Sequence, residues 1–201
     1  MRNDFSDTRE HILDVGESII LGKGYAAVGL SEILATAEVP KGSFYHYFKS
    51  KEQFGVDLLG RYFSDYAARI DERFQNTALP ARARLMGYWR QWYDNQAACS
   101  CHQQCLAVKL SGEVSDLSDA MRETLKAGMN AVIERIARCI AAGIADGSLP
   151  MHLNPQQTAQ TLYQLWLGAS LLTKVRKEPS ALDATMASTY ALLGIAPGQT
   201  N

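Results

Sequence analysis

The feature that most constrains this chain is the spacing of its helix punctuation between Gly22 and Gln53. Gly22 and Gly24, then Pro40, then Ser50 cut this stretch into segments too short for anything but brief helices and tight turns. Glycine tolerates the left-handed backbone that closes a helix, proline suits a first helical turn, and a serine hydroxyl caps an N-terminus. A first helix is predicted from near Asp7 or Thr8. Ile12, Val15, Gly16, Ile19 and Ile20 give it one apolar face, and Gly22 and Gly24 end it. Ser31 reads as the N-cap of a short second helix that turns Ile33 and Leu34 inward and breaks around Glu38-Val39-Pro40. A third helix covers Lys41 to Phe48. Ser50 then caps a long fourth helix, with Gln53 completing a capping box.

The rest of the chain repeats the helical theme. It holds 26 Ala and 22 Leu against 8 Val and 10 Ile, an excess of helix formers over β-branched residues. Helices are predicted over residues 81–97, just after Cys105, over 119–145, from Asn154 to about Val175, and over 180–193. That makes an all-α protein of about nine helices. Its 201 residues are enough to bury a core without metal or disulfide support. The longest uncharged stretch, Gly147 to Thr173, contains Pro150, Asn154, Pro155 and several glutamines, so no membrane span is expected. Met1 to Asp7 carries no apolar run of a secretory signal, and a cytoplasmic location with four reduced cysteines is expected. The net charge of -1 excludes a uniformly basic coat but not a local basic patch.

Two short helices joined by a tight turn behind a supporting helix form the helix-turn-helix plan. The third helix would carry the chemistry. Phe44 and Phe48 share a core-facing side, which turns Ser43, Tyr45, His46 and Tyr47 partly outward. Each of these can donate to a phosphate oxygen, and a tyrosine ring can pack on a thymine methyl. Gly42 lets the backbone approach base edges. Lys41, Lys49 and Lys51 supply positive charge, Lys51 beside a helix N-terminus suited to phosphate, and Ser31 joins the set from the second helix. The competing reading is a packing helix with solvated lysines. Residues 1–61 hold seven Lys or Arg and nine Asp or Glu, so affinity for nucleic acid must come from this local cluster.

Cys99, Cys101, His102 and Cys105 crowd seven residues. The spacing lacks a second ligand pair, so no metal and no cofactor is expected. Cys105 opens an apolar run that looks like a helix start, where the dipole favours the thiolate. Lys109, four residues on, and Lys174, at the end of an uncharged helix, are candidate cations for it. On the residues alone, Cys105 reads equally as a buried small hydrophobe and Lys174 as a solvated C-terminal lysine. Cys139 reads as mid-helix packing. Glu113, Asp116, Asp119 and Glu123 read as acids favourable near a helix start. Tyr88, Trp89, Trp92 and Tyr93 line either a ligand cavity or core. No G-x-S-x-G, H-E-x-x-H, P-loop or dinucleotide fingerprint is present, so no catalytic residue is assigned. Leu162, Leu165, Trp166 and Ala169 form an apolar stripe, with Gly168 and Ser170 permitting close approach. With Met186, Tyr190 and Leu193 they are expected to build a four-helix homodimer interface.

The string from Leu30 to Phe54 resembles the signature of the TetR family of bacterial transcriptional repressors, and the likeness covers residues 8–55. The resemblance implies an all-α homodimer on palindromic double-stranded operator DNA. Residues 1–52 would be the three-helix DNA-binding unit, and residues 53–201 the ligand-binding and dimerisation domain. Cys105 to Leu125 and Leu162 to Lys174 further resemble the branch typified by the N-ethylmaleimide reductase repressor. That likeness implies release from DNA by electrophiles or oxidants acting at Cys105, with a detoxification gene under control. A repressor sensing a non-covalent apolar inducer, and a thiol enzyme consuming electrophiles through Cys105 and His102, are the alternatives.

Overall fold

The computed structural model describes residues 3–97 and 106–196, with side chains from Thr8 onward. The described residues form nine helices and no strand. In chain order these are α1 (Asn3–Lys23), α2 (Leu30–Thr36), α3 (Lys41–Tyr47), α4 (Lys51–Phe74), α5 (Ala81–Ala97), α6 (Leu106–Val114), α7 (Asp119–Ala145), α8 (Pro155–Arg176) and α9 (Ser180–Leu193). No described helix is long and apolar enough to cross a membrane. The chain divides into two compact units. One contains α1, α2, α3, the first half of α4, α6 and the start of α7; the other contains the remainder.

In the first unit, α1 begins at Asn3, ahead of the predicted start. Gly24, at φ +93, closes it, a backbone region that L side chains rarely adopt. Ile12, Leu13, Ile20, Ile33, Phe44, Phe48, Phe54, Leu58 and Leu59 are fully buried. Phe44, Phe48 and Phe54 meet ring to ring at 5.0–5.8 Å between centroids. A Cβ on Gly16 would stand 2.3 Å from the Phe54 ring, so α1 passes too close to α4 there for any side chain. Beside that contact, Arg61 of α4 donates to the carboxylates of Glu10, Asp14 and Glu17 on α1. Arg9 of α1 donates in return to Asp57 of α4 at 2.8 Å.

Two predicted caps differ in detail. The N-cap of α2 is Gly29, whose carbonyl takes the Glu32 and Ile33 amides; Ser31 lies inside the first turn and is exposed. An extended Gly29 backbone does this work without a side chain. Ser50 does cap α4, accepting from the Gln53 amide at 3.0 Å. The Gln53 side chain turns to Asp57 at 2.7 Å, so only half of the capping box forms.

In the second unit, Asn154 accepts the Gln157 amide at 3.0 Å with Pro155 at the first helical position of α8, as its sequence predicts. Asp146 caps α5, taking the Ala81 amide at 2.9 Å, while Ser148 takes the Arg82 amide at 3.1 Å. Burial, the largest effect, raises the Asp146 carboxyl, but hydrogen bonds from Ser148 and the Ala81 amide and the charge of Arg84 together hold it below its usual range. Trp89 of α5 stacks on Trp166 of α8 at 5.2 Å and 11°. Trp92 donates to Ser170 at 2.9 Å, and Trp166 to Thr189 of α9 at 3.0 Å.

This packing corrects the predicted dimer stripe. Leu162, Trp166, Ala169 and Tyr190 are buried within the protomer, and Met186 is half-buried. Of the predicted stripe on α8 only Leu165 is exposed, at 38%. The reason is that α8 is apolar on two sides. Its outward side carries Leu165, Gly168, Leu172 and Val175 at i, i+3, i+7 and i+10. Leu172 is 43% and Val175 72% exposed. On α9 the exposed positions Ala184, Ala187, Ser188 and Ala191 are small, with Leu192 beside them.

Candidate nucleic-acid interface

The third helix splits as its spacing predicts. Phe44 and Phe48 are buried, and the backbone from Pro40 to Phe48 turns the other side out. Lys41, Gly42, Tyr45, His46 and Lys49 are exposed; Ser43 and Tyr47 are half-buried. Tyr45 keeps 47% of its surface accessible and packs edge-on against Phe44, which holds the ring upright. The Lys41 ammonium lies 5.8 Å from the Tyr45 ring centre, and the His46 and Tyr47 rings meet at 4.9 Å. The turn before α3 carries Glu38 at φ +54, a left-handed residue without the glycine that usually fills such a place. The result is a helix of alternating buried phenylalanines and exposed donors, the arrangement that can enter a major groove and meet phosphates on either side.

Lys51 is placed differently from its predicted role. Its ammonium donates to the Tyr25 carbonyl at 2.8 Å and lies 4.3 Å from the Tyr25 ring centre. Burial lowers its pKa, opposed by the charge of Glu113. The Tyr25 hydroxyl donates to the Lys51 carbonyl at 2.8 Å, and burial, helped by Glu52, pushes that phenol up to about 12. Lys51 is therefore tied inward, joining the start of α4 to the end of α1, and is not a free phosphate cation.

The same loop is held from the other side by α6. The Glu113 carboxylate accepts the Tyr25 amide at 3.1 Å and also the Ala26 amide. A Cβ on Gly24 would stand 2.9 Å from Glu113 Oε2, so the carboxylate lies directly over the glycine. Lys109, one turn earlier, donates to the Gly22 carbonyl at 2.9 Å and to the Leu21 carbonyl. One side chain thus satisfies the open carbonyls at the end of α1, and the other satisfies the amides just beyond. Ser118 adds a bond to Glu52 in the first turn of α4 at 2.5 Å. The expected partner of Lys109, the Cys105 thiol, lies outside the described residues; among the described ones its ammonium meets the end of α1. Glu113 was read only as a favourable acid near a helix start. Its partners lie 87 and 88 residues away, too far along the chain for a local pattern to reveal.

The remaining predicted residues divide between the units. Cys99, Cys101, His102 and Cys105 lie outside the described residues; α6 begins one residue after Cys105. Among the described residues no group of His, Cys, Asp and Glu could hold a metal ion. Lys174 is exposed in the last turn of α8, and Cys139 is buried in α7 with its thiol pushed up to about 12 by burial. Tyr88, Trp89 and Trp92 are buried against one another and against Tyr163 and Trp166, as core. Tyr93, half-buried, donates to Asp183 at 2.7 Å.

Residues 12–54, which contain α2, α3 and the buried face of α1, match the bacterial regulatory proteins of the tetR family. Residues 81–189 match the tetracyclin repressor-like C-terminal domain. The chain belongs to the TetR family. As a TetR-family protein it is a transcriptional regulator of the helix-turn-helix type, all-α in fold. It is 42% identical over 181 residues to the HTH-type transcriptional repressor NemR of Escherichia coli (strain K12), covering 90% of this chain and 91% of that one. It is 32% identical to the HTH-type transcriptional repressor DhaR of Mycobacterium sp. (strain GP1), covering 92% of this chain and 91% of that one. The crystal structure of the reduced form of E. coli NemR superposes with a TM-score of 0.89 at 41% identity, covering 95% of this chain and 99% of that one.

Proposed function

We propose that this TetR-family protein is a homodimeric repressor of palindromic operator DNA that lets go when a small electrophile or oxidant adds to Cys105. The observation that carries the reading is the grip of α6 on the α1–α2 loop. Lys109 and Glu113 hold that loop within the unit that contains the recognition helix. Because α6 starts one residue after Cys105, an adduct on that thiol would act at the root of the helix that does the holding. The 42% identity to NemR, and a NemR structure described as a reduced form, support a thiol chemistry in this branch.

In this reading the reduced protein keeps the grip, and Lys41, Gly42, Ser43, Tyr45, His46, Tyr47, Lys49 and Ser31 meet the DNA. Adduct formation shifts α6, loosens Lys109 and Glu113 and lowers the population of the DNA-competent unit. The protein reacts once per subunit and does not turn over, which separates it from a thiol enzyme. A cytoplasmic repressor of a detoxification gene is the role this chemistry suits. The outward apolar side of α8, Leu165, Gly168, Leu172 and Val175, with the small exposed face of α9, supports a two-fold interface in which helices approach closely.

The test is operator release by N-ethylmaleimide in the wild type and in Cys105→Ser. The variant is expected to bind operator normally and to stay bound at a dose that releases the wild type. Release of Cys105→Ser at the same dose would refute covalent sensing at this residue and leave a non-covalent inducer.

A further inference from the structure

A cleft of about 340 Å³ opens in the second unit between the end of α4, the start of α5 and the middle of α7. Asp71, Phe74, Arg84, Arg135, Arg138 and Cys139 are among its lining residues. None of them belongs to the proposed DNA or thiol chemistry. The lining holds three guanidinium groups and one carboxylate, and that carboxylate is already used. Asp71 takes the Arg135 Nε–H on both oxygens at 3.0 Å, and Arg135 Nη2 at 2.9 Å. Arg138 reaches Asp71 only at 3.9 Å and leaves 69% of its side chain exposed. Arg84 donates one Nη1–H to the Phe74 carbonyl, while its Nε–H is buried with no hydrogen-bond partner among the described residues. The Asp146 carboxylate tempers Arg84, but its own oxygens are taken up by the Ala81 and Ser148 amides.

The lining therefore carries two more cations than anions, and Arg138, loosely paired and 69% exposed, keeps guanidinium donors open. The planar guanidinium fork matches a carboxylate or phosphate. The Cys139 thiol, held protonated by burial, adds no competing negative charge. Phe74 and Ala142 provide apolar surface for a carbon skeleton. The volume lies at the small end of the range for ligand sites. We infer that this cleft binds a small molecule headed by an oxyanion, with Arg84 and Arg138 holding the anionic group and Phe74 facing the remainder.

The test is calorimetric titration of the full-length protein with benzoate and, separately, with inorganic phosphate, at ionic strength matched with chloride. Saturable binding of one molecule per protomer is expected for at least one probe. Arg138→Gln should weaken it about tenfold, the loss of one charge-assisted contact. Arg84→Gln should weaken it as well, and Arg122→Gln, an exposed arginine of the first unit, should not. Binding of benzoate alone supports an organic carboxylate held against Phe74; binding of phosphate alone supports a compact oxyanion. Arg138 is exposed, so Arg138→Gln decides the matter if Arg84→Gln fails to fold. No saturable heat from either probe, or affinity unchanged in Arg138→Gln, would overturn the inference.

Discussion

Replacing Glu113 by alanine removes both acceptors that hold the Tyr25 and Ala26 amides. Hydrogen bonds to a charged group contribute about 1.5–3 kcal/mol each. Glu113 is half-buried and Ala26 exposed, so water recovers part of that, and a total near 2 kcal/mol is a reasonable expectation. At about 2–4 °C per kcal/mol for a chain of this size, Tm should fall by roughly 4–8 °C. The same energy bears on DNA. If the grip selects the DNA-competent form of the loop, losing about 2 kcal/mol lowers that form's share, and operator affinity falls by up to about thirtyfold. Thermal unfolding followed by circular dichroism gives the first number, and operator titration by fluorescence anisotropy gives the second. Glu113→Gln keeps one acceptor and should lie between. If Tm falls as expected while operator affinity is unchanged, α6 merely stabilises the fold and the coupling argument fails. If neither changes, the hydrogen bonds carry no net energy.

Three further outcomes are expected. Tyr45→Ala and Lys49→Gln should each weaken operator binding with little change in Tm, and Lys49→Gln should reduce the salt slope by about one, as measured by titration at several salt concentrations. Leu172→Glu should yield a folded monomer in sedimentation, whereas Trp166→Ala should cost about 3–5 kcal/mol of stability because that indole is fully buried. Asp146 is more acidic folded than unfolded, so its capping contribution is full above the ordinary aspartate pKa of about 3.9 and fades as pH falls through the lower folded value. Asp146→Asn should therefore lose stability at neutral pH and show a flatter acid limb in unfolding curves.

Local chemistry was legible in the sequence, and long-range pairing was not. The caps at Asn154 and Ser50 are readable because each side chain takes an amide only three residues on, whereas the Asp146 cap of α5 reaches 65 residues along the chain. The faces of α3 were readable because Phe44 and Phe48 settle its orientation. The α8 stripe was misread for a physical reason: a helix apolar on two sides gives no periodic signal for which side faces its own core. The bonds of Lys51 and Lys109 to backbone carbonyls are not legible because those carbonyls are 26 and 88 residues distant, beyond any pattern along the chain.

The three tryptophans of this chain, Trp89, Trp92 and Trp166, all stand in one cluster in the second unit, and the unit that holds the recognition helix has tyrosine and phenylalanine but no tryptophan. The protein is thus spectroscopically divided. Excitation at the red edge of the indole band reports on the second unit alone, while operator DNA would touch only the first, which is dark at that wavelength. Any change of indole emission when operator is added then measures communication along the polypeptide itself, without a label and without subtraction of a signal from the binding surface.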